Sequence, residues 1–189
     1  MGETRSMDVQ TELSLLEASM AGGEVTWVPV QRTLATVLFT DIVDSTRHAV
    51  SLGDTAWREV LDRHDTISRG AVAHWGGRVI KGTGDGMLAR FDAPVGALRC
   101  AKALRVALEH AGIEIRAGIH TGEVELRGDD IAGIGVHIAA RITALASAGE
   151  LLASRTVKDL VAGSEHRFTS RGIHGLRGVP ERWELHAVS

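Results

Sequence analysis

From Gln31 onward, apolar residues come in short bursts separated by glycine-rich punctuation, and the period of each burst predicts an element. Leu34-Ala35-Thr36-Val37-Leu38-Phe39 is a mainly apolar run of strand length, read as a buried strand. Asp41 to Ser45 interrupts it, and Thr46 to Trp75 reads as helical with a break at Gly53-Asp54, closed by Gly76-Gly77. Arg78-Val79-Ile80-Lys81 and Met87-Leu88-Ala89-Arg90-Phe91 predict two strands joined by the turn Gly82-Thr83-Gly84-Asp85-Gly86. Pro94 opens a helix whose apolar face carries Leu98, Ala101, Leu104 and Leu108, and His110-Ala111-Gly112 ends it.

Ile113 to His120 alternates like a half-buried strand, and a hairpin is expected over Gly122 to Gly128. Gly135 to Ala146 reads as a helix and Glu150 to Ala153 as a strand. Ser154 is expected to cap a short helix, and two last strands end near His186. Strands and helices in this mixture, with a central hairpin, predict an antiparallel-rich α/β sandwich rather than a doubly wound parallel sheet. Residues 1–23 are polar and mixed, with a helical candidate at Glu12–Met20 broken by Ala21-Gly22-Gly23. The expected organisation is an arm or linker over 1–30 and one domain over 31–189.

Composition narrows the class. With 44% hydrophobic and 24% charged residues, the 189-residue chain is an ordinary globular one. A net charge of −3 gives no basic surface for nucleic acid. Cys100 is the sole cysteine, which excludes an intrachain disulfide and fits a reducing compartment. No run approaches the roughly 20 apolar residues that span a bilayer, and the N-terminus has no signal-peptide pattern. The expectation is a cytoplasmic protein with no membrane insertion in this chain.

Three segments carry candidate chemistry, each with a plain alternative. Asp41 ends a buried strand just before a helix start, where a carboxylate can hold a metal beside a phosphate; helix capping by Asp41 or Asp44 would use the same residues. Asp85 sits at a hairpin tip, where a second carboxylate would complete a two-metal site; Asp-Gly is also simply a favoured turn pair. His137 and Arg141 are four apart and share one helix face, so Arg141 suits developing phosphate charge or solvent. Arg116, in an alternating strand, and Arg177, between the last two strands, are further phosphate ligands or surface cations. Cys100 falls on an apolar helix stripe and is expected to be packed.

The order of these segments is more specific than any one of them. Phe39-Thr40-Asp41-Ile42, Lys81-Gly-Thr-Gly-Asp85, Arg116-x-Gly-Ile-His-Thr-Gly-Glu123 and Asp130 to Arg141 together resemble the class III nucleotidyl cyclase domain, in its bacterial and especially actinobacterial branch. The resemblance runs from about Arg32 to Val188. It implies a ferredoxin-like βαββαβ core and a head-to-tail homodimer with two composite active sites at its interface. Asp41, Asp85 and the backbone carbonyl of Ile42 match the metal ligands, implying two divalent ions, Mg²⁺ or Mn²⁺. Arg116 matches a triphosphate contact on the same protomer.

Lys81 and Asp130 match the pair that reads adenine, and Arg141 the arginine that stabilises the transition state, all three from the other protomer. A Lys donor and an Asp acceptor complement adenine N1 and the N6 amine, while guanine reverses the pattern, so ATP is the expected substrate. Ala132 is small and leaves room for the base. Two positions depart from the family. His137 stands where an Asn commonly orients the ribose, and one imidazole N–H keeps that option. Arg177 stands where a Lys binds triphosphate, which keeps the charge and changes its geometry. The expected function is an adenylate cyclase yielding cyclic AMP and pyrophosphate. The alternatives are a guanylate or loose-specificity cyclase, a nucleotide-binding regulatory module without catalysis, and a two-metal phosphodiesterase or nuclease that would leave the adenine pair unused.

Overall fold

The computed structural model describes residues 31–189, so the predicted arm over 1–30, with its helix at Glu12–Met20, lies outside the described residues. Strand β1 runs from Gln31 to Ile42. Helices α1 (Ser45–Leu52) and α2 (Asp54–His74) follow, separated at Gly53 as the sequence predicts. Then come β2 (Arg78–Gly82), β3 (Gly86–Phe91), α3 (Pro94–His110), β4 (Ile115–Arg127), β5 (Asp130–Ala132) and α4 (Ile134–Leu145). The chain continues through β6 (Leu151–Ser154), α5 (Arg155–Leu160), β7 (Phe168–Gly175) and β8 (Arg182–Val188).

The strands form one sheet in the order β2-β3-β1-β4-β6-β8-β7, with β5 paired to β4. The first four strands stand as β2-β3-β1-β4, the order of a ferredoxin-like βαββαβ unit. The pairings β1–β3, β2–β3, β4–β5, β6–β8 and β7–β8 are antiparallel, and β4–β6 is parallel. That parallel pair is the one joined through a helix, α4, because a parallel return needs a crossover.

Alternation along the strands sorts side chains to two faces. Leu38, Ala89, Ile115 and Ala153 pack with Leu98, Leu104 and Leu108 of α3 and Val72 of α2. Their neighbours Val37 and Leu88 face the other way, into a smaller cluster with Val124, Ile131 and Ala139. Farther along that second face, Ile138 and Ile142 of α4 pack on Leu152, Leu176 and Leu185. Helices α2 and α3 therefore cover one face and α4 part of the other. Cys100 lies in the first cluster, and burial pushes its thiol up to about 12. Among the described residues, no helix is long and apolar enough to cross a membrane.

Two local expectations are corrected. Gly122 does not open a hairpin: β4 runs straight through it, and the turn comes at Gly128-Asp129, where Arg127 pairs with Asp130. A Cβ on Gly122 would lie 2.8 Å from Nε2 of His120, so this glycine makes room for a buried ring inside the strand. Ser154 does precede α5, yet its hydroxyl makes no cap; it bonds Nδ1 of His120 at 2.8 Å.

Candidate active site

Strands β1 and β3 place two carboxylates side by side. In their ladder Asp41 stands opposite Gly86, and the amide of Ile42 donates to the carbonyl of Asp85 at 2.9 Å. The strands come this close because residue 86 has no side chain. A Cβ there would sit 2.0 Å from the carbonyl oxygen of Thr40. The hairpin is tightened by the Thr83 amide, which donates to the Gly86 carbonyl at 2.9 Å.

These groups open into a cleft of about 670 Å³ lined by Asp41, Ile42, Asp44, Ser45, Asp85 and Arg116, with Thr46, Arg47 and Val50 of α1 along its side. Nε and Nη2 of Arg116 both donate to Oδ2 of Asp41, at 2.8 and 2.5 Å. The pair is only partly exposed, 36% for Arg116 and 27% for Asp41, so solvent screens it less than a surface bridge. The hydroxyl of Ser45 donates to Oδ2 of Asp85. Neither aspartate caps a helix. Asp44 occupies the N-cap position of α1 at φ 53° without a side-chain cap bond, and its carboxylate pairs with Arg47. Of the cleft residues to which the motifs assign no role, Ser45 is the one bonded to a candidate metal ligand. Its signal is a hydroxyl at the first position of a helix that follows a strand-end carboxylate.

The remaining candidates lie outside this cleft. The β2–β3 register shifts between Val79 and Lys81, a bulge at Ile80 that re-aims the strand end. Ile80 and Val136 both pack against the cluster that holds Ile131, so β2, β5 and the start of α4 meet there. Above it, Nζ of Lys81 bonds both carboxylate oxygens of Asp130, at 2.9 and 2.6 Å. The Lys81 bond first, and the Ile131 amide at 2.8 Å second, hold the Asp130 carboxyl below its usual range. Arg78 and Asp129 form a parallel ion pair one step outside. Ala132 ends β5 half-buried.

His137 and Arg141 lie on the exposed side of α4, whose axis is set by Gly118. A Cβ on Gly118 would fall 2.4 Å from the Thr143 amide nitrogen and 2.6 Å from the Ala139 carbonyl oxygen, so helix backbone rests directly on β4. Nε of Arg141 donates to the carbonyl of Arg177 at 3.2 Å, and both side chains are exposed. None of Lys81, Asp130, Ala132, His137, Arg141 or Arg177 lines the Asp41–Asp85 cleft. Outside the cleft the chain holds two further pairs, Lys81 with Asp130 and Arg141 with the Arg177 carbonyl.

Solved structures with this arrangement of strands and helices are class III nucleotidyl cyclases. The adenylyl cyclase CyaB of P. aeruginosa superposes with a TM-score of 0.79 at 23% identity, over 86% of this chain and 96% of that one. The adenylate/guanylate cyclase/hydrolase of Silicibacter pomeroyi does so at 0.72 and 30% identity, over 84% and 97%. The chain belongs to the adenylate and guanylate cyclase catalytic domain family, whose model matches residues 29–189. A Rhizobium meliloti (strain 1021) protein provisionally named adenylate cyclase 3 is 32% identical over 168 residues, which is 79% of this chain and 27% of that protein. An adenylate cyclase of Streptomyces coelicolor is 34% identical over 119 residues, 62% of this chain and 31% of its own length. The chain therefore spans about a third or less of these two relatives.

Proposed function

We propose that residues 31–189 form the catalytic domain of an adenylate cyclase, converting ATP to 3′,5′-cyclic AMP and pyrophosphate in composite sites of a homodimer. The observation that carries this reading is the split just described: Asp41, Asp85 and Arg116 share one cleft, and the adenine pair and Arg141 lie outside it. A second copy of the chain would supply to each cleft the half it lacks.

The donor set of the cleft fits two divalent ions, Mg²⁺ or Mn²⁺. Asp41, Asp85 and the Ile42 carbonyl are hard oxygen donors. Among the described residues each carboxylate is anchored through its Oδ2 alone, which leaves the other oxygen to coordinate. When bound, such ions make a ribose hydroxyl more acidic and neutralise phosphate charge. Every other role falls to the chain. Arg116 grips the triphosphate on its own protomer. Lys81 of the second protomer donates to adenine N1 while its Asp130 accepts from the N6 amine, and Ala132 leaves space beside the ring. His137 holds the ribose through one N–H. Arg141 meets the negative charge that grows on the α-phosphate, and Arg177 adds a bidentate phosphate contact. Fixing the sugar beside its own phosphate supplies the orientation.

The test is incubation of the purified chain with Mn²⁺ and ATP or GTP, with chromatography of the products. Cyclic AMP from ATP that disappears in Asp85→Ala is expected. Cyclic GTP product in excess would reassign the base preference, and no cyclic product from a folded dimer would leave a nucleotide-binding module. Mixing Lys81→Ala with Asp85→Ala chains should restore activity that neither has alone. A mixture that stays inactive although heterodimers form refutes the composite site.

A further inference from the structure

The carbonyl that receives Arg141 Nε belongs to a tight turn, Leu176-Arg177-Gly178-Val179, closed by the Val179 amide donating to the Leu176 carbonyl at 3.0 Å. Gly178 takes φ 76° while Arg177 keeps a negative φ, the pattern of a type II turn. Type I and type II turns differ by a flip of the peptide between the two central residues. The left-handed conformation of Gly178 therefore decides where the Arg177 carbonyl points. Both ends of the turn are tied to the helix that carries Arg141. Leu176 is buried in one cluster with Ile138 and Ile142 of α4, and Val179 packs against that cluster. Beyond the turn, the Trp183 indole packs there too and donates to the Pro180 carbonyl at 3.1 Å.

We infer that Gly178 is a positioning residue for Arg141: its turn holds the Arg177 carbonyl as a dock for Nε, so that the terminal nitrogens of the guanidinium are set in place for phosphate oxygens. The inference rests on the transition-state role proposed for Arg141. A guanidinium has five N–H donors in one rigid plane, and a bond at Nε leaves the four on Nη1 and Nη2. The dock is a neutral carbonyl, which orients the cation without cancelling its charge; Arg116, by contrast, is paired with a carboxylate. Arg141 is an exposed side chain with many rotamers to lose, and a group that meets charge as it develops acts best when already in place. The turn also keeps two functions apart. Flipping its central peptide swings the Arg177 carbonyl away and leaves the Cα–Cβ direction of Arg177 nearly unchanged, so the phosphate contact proposed for that side chain survives.

The test compares Gly178→Ala with Gly178→Asn. Gly178 is exposed and a Cβ there meets nothing within 4 Å, so alanine acts through the backbone alone. Alanine disfavours the left-handed conformation, and asparagine accepts it. In Gly178→Ala, kcat for cyclic AMP formation should fall about tenfold with KM for ATP within about twofold of the parent, the sign of an interaction made in the transition state. Gly178→Asn should recover most of that loss. A second readout needs no catalysis: ¹⁵N relaxation of the Arg141 Nε–H, assigned by its disappearance in Arg141→Lys. It should report an ordered group in the parent and in Gly178→Asn, and a mobile one in Gly178→Ala. A mobile Nε in the parent, or equal order in Gly178→Ala, overturns the inference. So does an unchanged kcat in Gly178→Ala, or a rise in KM alone, which would assign the turn to the Arg177 phosphate contact instead. A parent that forms no cyclic product fails the cyclase reading, and the relaxation data then decide the docking of Arg141 by themselves.

Discussion

Substituting Gly86 by alanine should cost catalysis more than it costs folding. The new Cβ would lie 2.0 Å from the Thr40 carbonyl oxygen, 2.9 Å from its carbon and 3.0 Å from Oγ1 of Thr83, where ordinary contact begins at 3.4 Å. The threonine side chain can rotate away; the Thr40 carbonyl belongs to the β1–β3 ladder and cannot. The strands must part by about 1 Å at the rung where Asp41 faces residue 86. That movement strains the bond from the Ile42 amide to the Asp85 carbonyl. Overpacking of about 1–3 kcal/mol plus a weakened hydrogen bond of about 1 kcal/mol gives a loss of about 2–4 kcal/mol. For a domain of this size that is a fall in Tm on the order of 10 °C. Separating the two carboxylates by about 1 Å should lower cyclase turnover by about a hundredfold. The assay is cyclic AMP formation well below both melting temperatures, beside thermal unfolding. A Gly86→Ala protein with activity within about threefold of the parent would refute the claim that this close approach positions the site.

Gly70 provides the opposite case: it lies inside α2, a Cβ there meets nothing within 4 Å, and Gly70→Ala should stabilise by about 0.5–1 kcal/mol in urea unfolding with activity unchanged. His120 should make stability fall in mild acid. Burial lowers its folded-state pKa to about 4 from 6.5, so between those values the unfolded chain takes up a proton that the folded chain refuses. That contribution is absent above about pH 7 and reaches a loss of about 2–3 kcal/mol near pH 4.5. His120→Gln, which keeps a bond to Ser154 and cannot titrate, should show a shallower acid slope, and parallel slopes would contradict the assignment.

Most of the element order was legible because period and punctuation agree. The β2–β3 turn and the proline-opened α3 stand where the residues predict. Misreadings arose where a local signal served a distant partner. Gly122 looks like a turn residue, and it is small because the His120 ring lies against it. Ser154 looks like a cap, and its hydroxyl is taken by the same ring. One buried histidine explains both, and no local pattern announces it. The convergence of Asp41, Asp85 and Arg116 was legible only as an order of motifs, since these residues are brought together by β1 standing between β3 and β4. That Arg116 bonds Asp41 within the chain could not be read from either segment alone.

This last contact has a consequence for the order of binding. On the proposed assignment, Asp41 needs a metal partner and Arg116 a phosphate partner, yet within the chain each is the other's partner. A divalent ion arriving alone would have to leave Arg116 partly buried without its carboxylate, and a triphosphate arriving alone would leave Asp41 beside phosphate charge. Together they exchange one ion pair for two, so each should bind better in the presence of the other. A coupling of about 1–3 kcal/mol corresponds to roughly 5–150-fold in affinity. The measurement is Mn²⁺ binding by electron paramagnetic resonance with and without a non-cyclisable ATP analogue lacking the 3′-hydroxyl. The parent should bind Mn²⁺ more tightly by about tenfold or more with the analogue present. Arg116→Gln should bind Mn²⁺ alone more tightly than the parent, because the competing guanidinium is gone, and should lose much of the enhancement by nucleotide. Equal Mn²⁺ affinity in the parent with and without the analogue would show that the Arg116–Asp41 pair does not stand between the cleft and its ligands.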